Sequence, residues 1–146
     1  MEKKNLTVFA IVIVLAVVIG INFFPRSTNK TGFAPDTAVL LLDSETIDDT
    51  LANGRPTMVE FGRGGCAACL HMVPVLEQAA LDYQSKVDIV SINLDDSPSL
   101  SQRFQIAVTP TEIFFDATGK EVNRMLGFLP TEELATRLDA LSSTDE

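Results

Sequence analysis

Val59-Glu60-Phe61-Gly62-Arg63-Gly64-Gly65-Cys66-Ala67-Ala68-Cys69 joins two kinds of pattern through a glycine-rich loop. Upstream, Thr57 to Phe61 is β-prone and mostly apolar, the signature of a buried strand. Downstream, apolar residues recur with helical period from about Cys66 to Tyr83. Both cysteines therefore fall where a loop becomes a helix. The amide N–H groups and dipole at a helix start favour negative charge, so a thiolate at Cys66 is stabilised. Thiols of Cys-x-x-Cys pairs drop from about 8.5 to about 7 or below in such settings, which raises the thiolate fraction at pH 7 from about 3% to about half.

The spacing assigns roles. Cys66 at the helix start is the expected exposed nucleophile, and Cys69, almost one turn later, faces the domain and resolves. Cys66 attacks a partner's disulfide, and Cys69 then attacks Cys66 and releases the reduced partner; the reverse sequence oxidises a partner. Other readings of the pair are a structural disulfide and a pair of metal ligands. The first closes a very short loop and adds little chain-entropy stabilisation. A closed zinc site needs four ligands, and two cysteines with His71 do not supply them. No metal is expected. No flavin or nicotinamide motif is present, so no cofactor is expected either.

Outward from this stretch, strands and helices alternate. Strands are expected over Ala38–Leu42, Val87–Leu94, Glu112–Asp116 and Glu121–Met125. Helices are expected over Glu45–Ala52, capped by Ser44, then from Ser97-Pro98 to Phe104, and from Thr131 to Leu141. Asn53-Gly54 and Thr118-Gly119 are turn signals. The order predicts an α/β domain with a mixed central sheet flanked by helices.

The amino-terminal part is different. Leu6 to Phe24 is 19 residues without a formal charge. As a helix it would cover roughly 28 Å at about 1.5 Å per residue, close to the ~30 Å hydrocarbon core. It is longer than a secretory h-region of about 7–15 residues, and Ile21 to Arg26 offers no Ala-x-Ala-like cleavage site. An uncleaved signal anchor is the favoured reading. Lys3 and Lys4 hold the short amino terminus in the cytoplasm, which places the domain on the extracytoplasmic face. The expected organisation is a cytoplasmic stub over 1–5, a transmembrane helix over 6–24, a linker over 25–37, the α/β domain over 38–141 and a polar tail over 142–146. From Asp36 onward 19 Asp+Glu stand against 7 Lys+Arg, a net of −12. Such a surface repels phosphate backbones and argues against nucleic-acid binding.

Over Ala38 to Leu141 the chain resembles the thioredoxin family. Val59-Glu60-Phe61 is similar to the family's hydrophobic–acid–Phe strand. Pro74, five residues after Cys69, matches the proline of the active-site helix, and Val108-Thr109-Pro110-Thr111 resembles the cis-proline loop. Gly119 and Gly127 stand where the family places glycines. The resemblance implies a thioredoxin-like fold and a cis Thr109-Pro110 peptide packed against the cysteines. It also implies substrate binding along the backbone at Thr109 and Pro110, with Gly65 on the rim. Glu60 would take the place of the buried family acid and move the proton of Cys69, its pKa raised by desolvation. The partners implied are proteins carrying disulfides or thiols, and a membrane-embedded electron donor. By similarity to anchored thioredoxins the expected direction is reduction of envelope proteins; the alternatives are a disulfide-forming oxidase and a binding module or metallochaperone. The departures are the absence of tryptophan, the glycine-rich rim Gly62-Arg63-Gly64-Gly65, the central dipeptide Ala67-Ala68, and Ser91 where many members place a lysine.

Overall fold

The computed structural model describes residues 37–143. The expected cytoplasmic stub, the expected transmembrane segment and the expected linker up to residue 36 lie outside them, as do residues 144–146. Among the described residues no helix is long and apolar enough to cross a membrane.

The element order is β1 (Leu40–Leu42), α1 (Ile47–Leu51), β2 (Thr57–Gly62), α2 (Ala67–Tyr83), β3 (Asp88–Asn93), α3 (Ser99–Arg103), β4 (Thr111–Phe115), β5 (Glu121–Leu126) and α4 (Thr131–Ser142). The strands form one mixed sheet in the order β1-β3-β2-β4-β5. β1, β3 and β2 run parallel; β4 runs antiparallel to β2, and β5 antiparallel to β4. This is the expected α/β architecture of the thioredoxin type.

Two hydrophobic layers cover the sheet, which explains why the central strands read as continuous apolar runs. On one face Met58, Ile89 and Phe114 meet Met72, Leu76, Ala79 and Ala80 of α2 and Leu134, Leu138 and Leu141 of α4. On the other, Val59, Phe61, Val90, Ile92, Ile113 and Phe115 meet Ile47 of α1 and Leu100 of α3. There the Phe104 ring lies 5.0 Å from Phe61 and 6.0 Å from Phe115, centroid to centroid. Period-two alternation sends neighbouring residues of β2 and β4 into opposite layers.

Element ends differ slightly from the sequence reading. α1 starts at Ile47 rather than Glu45, and its N-cap is Thr46, not Ser44. The cause is Asp43, whose Oδ1 accepts from the amides of Glu45 (3.0 Å) and Thr46 (3.1 Å) and holds those residues in a turn. β4 begins at Thr111, one residue early, and ends before Asp116. Asp116 turns the chain instead: its Oδ1 accepts from the amides of Thr118 and Lys120. α4 continues to Ser142, where the tail was expected to begin.

Candidate active site

β2 ends at Gly62, and the chain crosses Arg63-Gly64-Gly65 to enter α2. Gly65 has φ +75°, a left-handed conformation that a side chain disfavours. Asp95, in the loop after β3, anchors this crossing. It accepts from the Gly64 amide at 2.8 Å and pairs with Arg63 at 3.3 Å, while Arg63 also donates to Ser101 Oγ. The charge of Arg63 is thus matched by Asp95, and the rim is held despite its glycines.

Cys66 is the N-cap of α2, and its sulfur accepts from the Cys69 amide at 3.1 Å. Cys66, expected to be exposed, is half-buried, and Cys69 is buried. The two form a disulfide. Cys66 Sγ lies 3.6 Å from the carbonyl oxygen of Thr109. The Thr109-Pro110 peptide is cis. The Gly127 amide donates to the carbonyl of Pro110 at 2.8 Å, and the Leu129 amide donates to the Met72 sulfur of α2. Three loops therefore meet around the disulfide: 63–66, 108–110 and 127–129. Exposed Leu70, Val108 and Phe128 lie on or beside them.

Glu60 stands on the face of β2 that carries Met58, which is the face α2 covers. It is 3% exposed. Ser91 Oγ donates to Glu60 Oε2 at 2.7 Å, and Glu60 Oε1 has no partner. Burial pushes its pKa up to about 7, against the Ser91 hydrogen bond. Gly62, two residues on, lies close to this carboxyl: a Cβ there would be 2.6 Å from Glu60 Oε1, so a side chain at 62 would shift the end of Glu60.

A second buried acid went unrecognised in the sequence. Glu112 is the cross-strand partner of Glu60 and is fully buried. Burial pushes its pKa up to about 8, and the nearby Glu60 charge acts in the same direction. The available signal was the alternation of Thr111–Phe115, which sets Glu112 on one face with Phe114 in a strand covered on both sides. His71 is exposed, and among the described residues no three His, Cys, Asp or Glu side chains could together hold a metal ion.

The thioredoxin family model matches residues 38–140. Thioredoxin of Staphylococcus haemolyticus (strain JCSC1435) is 34% identical over 102 residues, covering 70% of this chain and 96% of that protein. Thioredoxin of Staphylococcus aureus (strain Mu50 / ATCC 700699) is 33% identical over 102 residues, with the same coverage. A crystal structure of chloroplastic thioredoxin z superposes with a TM-score of 0.65 at 27% identity, covering 72% of this chain and 95% of that one. With its Cys66–Cys69 pair at the head of α2, the chain belongs to the thioredoxin family and is a thiol–disulfide oxidoreductase.

Proposed function

We propose that this protein is a membrane-anchored reductase of disulfides in extracytoplasmic proteins. The observation that carries the exchange chemistry is the setting of Cys66: half-buried at the cap of α2, bonded to the Cys69 amide and 3.6 Å from the Thr109 carbonyl. In the reduced state the amide that now donates to the Cys66 sulfur would donate to its thiolate, which lowers the thiol pKa.

Reaction begins when the Cys66 thiolate attacks a substrate disulfide. An intermolecular S–S bond forms, and the substrate's second sulfur leaves with the electron pair of the broken bond. A substrate segment lies along the backbone at Thr109 and Pro110 and across Gly65, where an extended chain gains main-chain hydrogen bonds. Cys69 then loses its proton toward the carboxyl of Glu60 and attacks Cys66. The intramolecular disulfide forms, and the substrate leaves as a dithiol. The reacting end of the sheet joins exposed apolar side chains to backbone groups, a combination suited to unfolded or extended protein segments. Apocytochrome c before haem attachment is one such substrate.

Support for the anchor is the uncharged run of 19 residues, Leu6 to Phe24, with Lys3 and Lys4 before it. A reductase on the outer face needs electrons from within the membrane, so a membrane-embedded thiol donor is the expected partner.

Trapping with Cys69→Ser tests the reading. The variant should accumulate mixed disulfides at Cys66 with extracytoplasmic proteins, and Cys66→Ser should accumulate none. Equilibration with glutathione gives the direction: a potential of about −270 mV supports a reductant, and one of about −120 mV makes the protein an oxidase instead.

A further inference from the structure

Glu60 and Glu112 face each other across β2 and β4 as register partners in an antiparallel pair. Directly opposed residues have Cβ atoms about 4.5–5.5 Å apart, within reach of two glutamate side chains. Met58 shares its face of β2 with Glu60, and Phe114 shares its face of β4 with Glu112; both pack under α2. The two carboxyls therefore occupy one layer, beneath the helix whose buried side begins with Cys69.

Three of their four oxygens, Glu60 Oε1 and both of Glu112, have no well-formed hydrogen bond; the approach of Glu112's own amide is the smallest influence on its carboxyl. Carboxylates only accept, and buried acceptors without donors are unfavourable. Two negative charges side by side in such a place add repulsion. The facing groups offer little relief. β3 supplies the Ser91 hydroxyl, already bonded to Glu60. β5 supplies Met125 opposite Glu112. α4 carries Arg137, whose Nη1 and Nη2 donate to Asn123 and Glu133 and whose buried Nε reaches no acceptor, these two carboxyls included. At the far end of α2, Tyr83 is bonded to Asp139. α2 also carries exposed His71 and Asp82, half-buried Glu77, and the cysteine pair. One proton held between the carboxyls would supply the missing donor and remove one charge.

We propose that Glu60 and Glu112 form a single carboxyl pair that shares a proton, and that the pair as a unit exchanges a proton with Cys69 during disulfide transfer. The inference rests on the exchange chemistry proposed above. In the resolving step the singly protonated pair takes the Cys69 proton and becomes neutral. The Cys69 thiolate attacks Cys66 Sγ, the intermolecular S–S bond breaks, and the substrate sulfur leaves with its electron pair and is protonated from solvent. The cysteine pair is oxidised by two electrons and the substrate is reduced by two. The neutral pair then returns its extra proton to solvent. Glu112 is a positioning residue in this scheme: it acts through Glu60, by fixing the pH at which the pair gains and loses its proton.

Carbon-13 NMR of the full chain, labelled at the glutamate carboxyl carbon, tests this directly. In the wild type each of the two resonances should show both titration steps, the mark of coupled groups. Glu112→Gln keeps the shape and removes the charge. It should move the Glu60 titration down by about one pH unit or more, and move the pH profile of mixed-disulfide resolution with it. Independent single-step curves in the wild type would overturn the pair, whether or not the variant folds. A Glu60 titration unmoved in Glu112→Gln would do the same. Insulin reduction by the wild type separates the two claims: activity with uncoupled carboxyls sinks the pair alone, and no activity sinks the exchange reading on which the pair's role depends.

Discussion

Glu60 and Glu112 each have a pKa raised by burial, to about 7 and about 8. A carboxyl whose folded pKa exceeds its unfolded value binds its proton more tightly in the fold. Its contribution to stability is complete below the unfolded value near 4.5 and is lost as pH rises through the folded one. These two residues therefore make the domain's stability fall as pH rises from about 4.5 to about 8 and leave it lower above that, opposite to the usual effect of paired carboxylates. Glu112→Leu removes one of them and fills the same space with apolar atoms. Urea unfolding should show the variant stabilised by about 1–3 kcal/mol at pH 8 relative to wild type, with the gain shrinking toward pH 5. A gain independent of pH would contradict the assignment. At the sulfur, alkylation rates of the reduced protein should titrate well below the ordinary thiol value of about 8.5. A Cys66 profile at or above that value would contradict the role given to the α2 amides.

At the scale of elements, the crossing from β2 to α2 depends on Asp95, a residue of the next βα loop. Asp95→Ala frees the Gly64 amide and leaves Arg63 without its ion pair. Both contacts are partly solvated, so the loss is about 1 kcal/mol and the global fold is retained. Hydrogen exchange should quicken up to about tenfold at Gly64 while the amides of buried Val59 and Phe61 keep their protection. Most elements were legible in the sequence because their signals are local. Thr57 to Phe61, the glycines after it and the periodic run to Tyr83 set strand, loop and helix without reference to the rest. Asp43 was missed because its competition with Ser44 is decided by side-chain bonds to two amides, and both residue types cap helices. Glu112 was missed because its burial follows from β4 lying inside the sheet, between β2 and β5. Strand order is a non-local property, and the pairing of Glu112 with Glu60 appears only once that order is known. The cysteine pair and the cis-proline loop, by contrast, lie 43 residues apart in sequence at Cys66 and Thr109. Their contact was foreseen only through the family resemblance.

On the scale of the whole molecule, the proposed anchor would have the largest consequence for how the protein works. Full-length protein should sediment with membranes and resist alkaline extraction, whereas a chain beginning at Thr37 should remain in the soluble fraction. Full-length protein recovered free in solution would remove the anchor from the proposal. The parallel strands add a geometric constraint. β1 runs in the same direction as β2, and the cysteines follow the carboxyl end of β2. The chain thus enters the domain from the pole opposite its disulfide. A domain moored by its amino terminus would hold its sulfurs outward, toward the aqueous compartment and away from the lipid. Soluble clients would meet the reactive pole head-on. A donor lodged in the bilayer would have to present its own thiols on an arm long enough to pass the flank of the domain, or wait for the domain to topple toward it.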